Sequence, residues 1–369
     1  MLWRMTPPAG EPCRLSTVAG HTGLGALYPA QAVLLTDSGS SALQLALRAA
    51  LARHDSRRPE VILPAYGCPH LVAAVYAVGA RPRLADLRAE SPRMSLQAVR
   101  ALLSPDTVAV IAAHFCGIPE DLPGLRSLLP GAVSLIEDSA QALALQPQAP
   151  PPGVQATVLS FGRGKPLTLL GGGALLSADP AFAQAARAAL PGAPPAGDAR
   201  GLRLRAAAYN RLRHPLLYGL LERLPLGLGQ TRYRPLAPPA PLDAARAAAL
   251  PGALARWQAT PPPLWRPRLP SRCVDLPRQC HAPGPWLRYP ILAASPTDAV
   301  ATLARLRAAG IGATRMYGAA QPDLADMPQA LSQPGLTAAR DFAGRLLTLP
   351  CHSEIDRAAR ARIEAALHD

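Results

Sequence analysis

Between residues 33 and 177, short apolar runs alternate with segments of helical periodicity, the pattern of a largely parallel sheet with crossover helices. The apolar runs are Ala32–Leu35, Val61–Leu63, R-P-R-L-A-D, V-A-V-I-A-A-H-F ending at His114 and Cys116, Val133–Ile136, and Val154–Phe161. Between them, a helix from about Ser38 turns Leu43, Leu47 and Leu51 to one side, another ends near Val78, and others cover about 96–103 and 122–129. The reading is an α/β fold.

Length allows more than one such unit. With 369 residues, 49% of them hydrophobic, the chain can bury a large core and divide into a large and a small domain. The opening M-L-W-R-M-T-P-P has no apolar run of signal-peptide length and no later segment offers a membrane span, so a cytoplasmic protein is expected. Six scattered cysteines without a C-x-x-C pair argue against a disulfide framework or a zinc ribbon, and no metal is expected. The net charge of +14 comes from dispersed arginines in a chain only 4% aromatic, which points away from nucleic acid and toward phosphorylated or nucleotide-linked small molecules.

Among 38 basic residues only one, Lys165, is lysine. Arginine has taken every position where positive charge suffices, yet an amine alone can shed its proton and condense with a carbonyl. Lys165 is therefore a candidate Schiff-base residue, with a leftover surface lysine as the plainer alternative. It lies just past the Val154–Phe161 run, among Gly162, Gly164 and Gly171–Gly173. That places it on a loop at a strand end, where open α/β sheets bind ligands.

Two further features stand in the same order. Ser38–Ser41 open a helix with small hydroxyl residues and a glycine, which suits either a phosphate or an ordinary N-cap. Asp138 closes the apolar Val133–Ile136 strand, either paired with a cation or capping a following helix. A lysine for an imine, an acid for a pyridine nitrogen and a helix start for a phosphate are together the fixtures of pyridoxal 5'-phosphate binding.

The motifs S-G-S-S-A-L, V-I-L-P-A-Y, E-D-S-A-Q-A, S-F-G-R-G-K and G-G-G-A-L-L, in this order, resemble those of the DegT/StrS-type sugar aminotransferases of fold-type I. Toward the carboxyl terminus W-L-R-Y-P-I, L-R-A-A-G-I, M-Y-G and L-T-L-P-C-H are similar to the family's small domain. The resemblance implies that Lys165 forms the imine and moves the proton, that Asp138 binds the pyridinium nitrogen and that Gln141 approaches the ring hydroxyl. It also implies that Ser160 holds the phosphate with backbone N–H groups at Ser40 and Ser41, in a homodimer whose active site lies at the interface.

Two places depart from the family. Its ring-stacking aromatic is replaced by Cys68, leaving Tyr66 or His114 to serve, and its partner-reaching G-Y-N-Y-R is represented by G-Q-T-R-Y-R at 229–234, where Thr231, Arg232 or Arg234 substitutes. Arg163, beside the lysine, is a further candidate contact. Residues 1–253 read as the large cofactor-binding domain, with an inserted helical, proline-rich segment at about 190–242, and 254–369 as the small one. In the insertion, Leu202, Tyr209, Leu212, Leu216, Leu217, Leu220 and Leu224 form an apolar side, expected to pack on the protein's own core in preference to a membrane surface. The function expected is amino transfer from a glutamate-like donor to a keto-sugar, nucleotide-linked. The alternatives are a non-sugar ketone as acceptor, or a non-catalytic regulatory or scaffold protein retaining the fold.

Overall fold

The computed structural model describes residues 4–15, 23–224, 231–331 and 333–368. A seven-stranded sheet organises the first half of the chain, in the order β1-β7-β6-β5-β4-β2-β3. Its strands are β1 (Ala32–Thr36), β2 (Glu60–Pro64), β3 (Arg81–Ala85), β4 (Thr107–Ala113), β5 (Ser134–Asp138), β6 (Ala156–Ser160) and β7 (Gly173–Ser177). Strands β3, β2, β4, β5 and β6 pair in parallel, and β7 runs antiparallel to both β6 and β1. The fold is α/β with a mostly parallel sheet, as the alternation predicts. The central strands are buried along nearly their whole length, which explains their unbroken apolar runs.

The reversal of β7 follows from connection length. Residues 161–172 joining β6 to β7 hold no helix, and without a crossover the chain can only return antiparallel. That loop carries Lys165 and folds back on the strand: the N–H groups of Leu169 and Gly171 both donate to the Phe161 carbonyl, at 2.9 and 3.2 Å. Gly172 donates to Asp37 O at 2.7 Å, which ties the loop to the end of β1. At Gly173 a β-carbon would lie 2.5 Å from the Gly39 nitrogen, so the glycine lets the next helix start directly on the strand.

That helix, α1 (Gly39–Leu51), buries Leu43 and Leu47 against the sheet, and α2 (Pro69–Ala77) packs beside it. Further on, β8 (Val274–Asp275), β9 (Tyr289–Leu292) and β10 (Leu346–Leu349) form a second, antiparallel sheet in the order β10-β9-β8. Helices Pro296–Ala308, Thr337–Arg345 and Arg357–His368 accompany it. The amino-terminal segment lies here too, with Thr6 bridged to Ile311 and the Pro7 carbonyl 3.0 Å from His352 Nε2.

The insertion forms α3 (Ala199–Leu212) and α4 (Pro215–Leu221), separated at Pro215 as the sequence suggests. Its packing corrects the expectation. Of the apolar side only Leu202 is buried, Tyr209 and Leu217 are half-buried, and Leu212, Leu216, Leu220 and Leu224 are 46–48% exposed. The inward positions of α3 are instead taken by Leu202 and Ala206, while Asn210 clasps the backbone of Cys13 through two hydrogen bonds. A further long helix, α5 (Ala244–Ala259), carries Leu250, Leu254 and Trp257 into the cluster that holds Phe161 and Leu169 under the lysine loop. No helix among the described residues is long and apolar enough to cross a membrane.

Candidate active site

The parallel strands all end on one side of the sheet, and the residues singled out in the sequence collect there. A cleft is lined by Tyr66, Cys68, His114, Phe115, Asp138 and Gln141, drawn from the ends of β2, β4 and β5. Asp138 is the last residue of β5, and its Oδ1 accepts from the Ala140 N–H at 2.9 Å in a tight turn. No helix follows that it could cap, and among the described residues it forms no ion pair. Burial pushes its carboxyl above the usual range, although the Ala140 N–H and the positive charge of Lys165 pull the other way.

Glu137, one residue earlier and on the opposite face, behaves inversely. Its carboxylate accepts from His114 Nε2 at 2.7 Å, Ser139 Oγ at 2.9 Å and Thr157 Oγ1 at 2.6 Å. Burial raises its pKa, but these donors outweigh it and hold the group below its usual value. His114 Nδ1 accepts from the Glu120 N–H at 3.0 Å, which leaves Nε2 as the nitrogen that donates to Glu137. For the imidazole, burial works downward and the neighbouring Glu137 prevails, giving a net rise. His114 is thus a buried brace for Glu137 at one wall of the cleft.

Gln141 is held at both ends of its amide. Its Oε1 accepts from the Cys116 N–H at 2.8 Å, and its Nε2 donates to the Tyr317 hydroxyl at 2.8 Å. Cys116 has a left-handed backbone, φ 53°, that a non-glycine residue keeps only when its surroundings demand it; here its carbonyl also accepts from Leu287 N at 3.1 Å. Tyr66 is packed edge-on against Phe115 and Phe342, and its hydroxyl donates to the Arg315 carbonyl at 3.1 Å. Burial raises the Cys68 thiol, while the charge of Lys165 and a hydrogen bond with Tyr317 act in the opposite sense.

At the start of α1, Ser38 is the N-cap, and its Oγ accepts the Ser41 N–H at 3.1 Å. Ser41 is therefore committed within the helix, contrary to the expectation, and the N–H groups of Gly39 and Ser40 are those left without an intrahelical acceptor. Ser160 closes this cup: a β-carbon on Gly39 would sit 2.7 Å from the Ser160 β-carbon and 3.0 Å from its Oγ. The glycine permits this close approach of Ser160 to the helix start, which any β-carbon would block.

Residues missed in the sequence complete the picture. His70, in the first turn of α2, has Nδ1 3.4 Å from Ser40 Oγ; burial depresses its pKa first, then the charges of Lys165 and Arg234. Tyr317, from the second-sheet side of the molecule, reaches Gln141 and Cys68. Its signal in the sequence is the M-Y-G motif. Arg234 comes close enough to His70 to act on it electrostatically, while Thr231, Arg232 and Arg234 are themselves exposed. Gly229 and Gln230 of the same motif lie outside the described residues. Arg163 is exposed in the turn before Lys165.

Residues 22–198, just under half of the chain, match the DegT/DnrJ/EryC1/StrS aminotransferase family. The family segment thus spans the whole seven-stranded sheet and every cleft residue except those contributed from the second-sheet side. The chain is similar to the UDP-N-acetyl-3-dehydro-alpha-D-glucosamine 3-aminotransferase of Acidithiobacillus ferrooxidans, 36% identical over 110 residues, 30% of this chain and 29% of that one. It is also similar to the dTDP-3-amino-3,4,6-trideoxy-alpha-D-glucose transaminase of Streptomyces venezuelae, 33% identical over 156 residues, 41% of this chain and 40% of the other. The alignments with these DegT/DnrJ/EryC1/StrS relatives span well under half of their length. Among solved structures it resembles Helicobacter pylori PseC, an aminotransferase involved in pseudoaminic acid biosynthesis, with a TM-score of 0.69 and 16% identity over 99% of this chain and 98% of that one. At that identity the likeness is one of fold.

Proposed function

We propose that the protein is a pyridoxal 5'-phosphate-dependent aminotransferase that moves an amino group from a glutamate-like donor to a keto-sugar, nucleotide-linked, in cytoplasmic amino-sugar biosynthesis. The observation that carries this reading is the chain's sole lysine, on the β6–β7 loop, acting electrostatically on the otherwise unpaired carboxyl of Asp138 at the end of β5. The names of the sugar aminotransferases similar to residues 22–198 support the substrate class.

The residues present fit the cofactor. An enclosed carboxylate without a cation suits a protonated ring nitrogen, and the cup of Gly39, Ser40 and Ser160 suits a phosphate. When bound, the cofactor supplies an electron sink for the carbon that carries the amino group. Lys165 Nζ takes up and returns that carbon's proton. Asp138 holds the proton of the ring nitrogen in place, and Gln141, fixed by Cys116 and Tyr317, orients the ring. His114 and Glu137 lock each other behind it. The exposed Thr231, Arg232 and Arg234, on a segment anchored to α1 through Gln44 Nε2 and the Ala237 carbonyl, support a homodimer in which a partner completes the site.

The test is the visible spectrum of the purified protein before and after borohydride, with mapping of the modified peptide. A yellow protein with the cofactor fixed on Lys165, bleached by glutamate, is expected, and Lys165→Arg should keep the fold and lose the fixation. A colourless protein that takes up no pyridoxal phosphate overturns the proposal.

A further inference from the structure

The insertion is fastened on one side and open on the other. On the inner side Asn210 bonds to the Cys13 backbone, and Arg213 donates to Glu354 Oε2 at 2.7 Å and to the Ala9 carbonyl at 3.0 Å. The Pro215 carbonyl accepts the Met5 N–H at 2.9 Å, Gly219 is buried, and Glu222 pairs with Arg307 at 3.0 Å. These attachments reach residues far away in the chain, so α3 and α4 are held in one orientation. The outer side carries Leu204, 72% exposed, with Leu212, Leu216, Leu220 and Leu224 at 46–48%. Of the large apolar side chains exposed among the described residues, only Leu264 and Val300 lie elsewhere, so the exposure is concentrated on this insertion.

Arginines border these leucines. Arg200, Leu204, Ala208 and Arg211 fall at positions i, i+4, i+8 and i+11 of α3, which places them on one face, and Arg203 and Arg205 flank Leu204. Beyond α4, Arg223 precedes Leu224. Arg200, Arg203, Arg205, Arg211 and Arg223 are all exposed. The single acid between residues 199 and 224 is Glu222, half-buried in its pair with Arg307. The outer side of the two helices is therefore both apolar and positive.

We propose that α3 and α4 dock the protein on a membrane surface rich in acidic phospholipid, with the leucines in the headgroup boundary and the arginines at the lipid phosphates. Such a surface answers both features: it takes up apolar side chains, and its charge attracts each nearby arginine. A second copy of the chain fits less well, because pairing this face with itself sets the arginines of the two chains against each other. A nucleic acid would engage the arginines and leave the leucines in water. The inner attachments add to the fit, since helices already held in place lose little freedom on docking. Neither helix spans the bilayer, so the contact is with its surface.

The experiment is flotation of the purified protein with vesicles of phosphatidylcholine, with and without phosphatidylglycerol, at low and high salt. The protein should float with the anionic vesicles only. A net charge of +14 promotes adhesion to any anionic surface, so the leucines carry the decision. Leu216→Ser combined with Leu220→Ser keeps every charge and should lower the vesicle partition coefficient about tenfold or more. Arg203→Gln, Arg205→Gln and Arg211→Gln together should lower it about tenfold or more at low salt and flatten its salt dependence. Thermal melts by circular dichroism check that the variants are folded; if the leucine pair fails to fold, Leu204→Ser carries the test, with a loss of about threefold or more. A protein that stays behind with both kinds of vesicle, or a folded leucine variant that floats as well as the original, overturns the proposal. Sedimentation velocity without lipid gives a third way to fail: an assembly that the leucine variant loses assigns this face to a second copy instead.

Discussion

Gln141 Nε2 donates to the Tyr317 hydroxyl at 2.8 Å, joining a residue after the last parallel strand of the cleft to one that follows helix Pro296–Ala308. The bond is partly buried and its donor has no other hydrogen bond among the described residues, so Tyr317→Phe leaves an amide N–H without its protein partner. We expect a loss of about 0.5–1.5 kcal/mol in urea denaturation. Weaker retention of pyridoxal phosphate during dialysis should accompany it, because Gln141 then keeps only its contact with Cys116.

Glu137 and Asp138 should give opposite pH dependences in the cofactor-free protein. Glu137 is held below its unfolded value of 4.5, so its stabilisation is present above that pH and is lost as pH falls through its lower folded value. Asp138 is raised above 3.8, so it costs stability as pH climbs from 3.8 through its folded value, and the cost stays at neutrality. Glu137→Gln should destabilise by about 3–5 kcal/mol at pH 7. Asp138→Asn should stabilise the cofactor-free protein by about 1–3 kcal/mol at pH 7 while weakening its hold on the cofactor. Denaturant midpoints between pH 4 and 8 check both, and equal slopes in the two variants would contradict the assignment.

Gly173→Ala places a β-carbon 2.5 Å from the Gly39 nitrogen and 2.6 Å from Ser38 C. The helix start has to move, at about 1–3 kcal/mol. Because Gly39 and Ser40 carry the N–H groups of the proposed phosphate cup, affinity for inorganic phosphate or pyridoxal phosphate should fall more than stability does. Fluorescence titration beside a thermal melt distinguishes this from simple overpacking.

The leucines of the insertion should separate cleanly. Leu202→Ala, at a 2% exposed position, is expected to cost about 2–5 kcal/mol. Leu216→Ser and Leu220→Ser, at positions nearly half exposed, should each change stability by no more than about 0.5 kcal/mol. Chemical denaturation of the three variants decides it, and a large cost at Leu216 would mean that the segment is buried in solution.

What the sequence alone determined is local: strands with unbroken apolar runs, the glycines that let Lys165 stand on a loop, the serine that caps α1, and Asp138 at a strand end. These depend on spacing, turn chemistry and residue type, all written along the chain. The tertiary structure decided which donors are left free. Ser41 has the same chemistry as Ser40, but the cap takes its N–H. Asp138 forms no ion pair among the described residues, because ion pairing depends on what arrives from distant segments. The exposure of the insertion's leucines and the approach of Tyr317 to Gln141 likewise come from contacts between residues far apart in the chain. Periodicity can show that a helix has an apolar side, yet only packing shows whether a neighbour covers it.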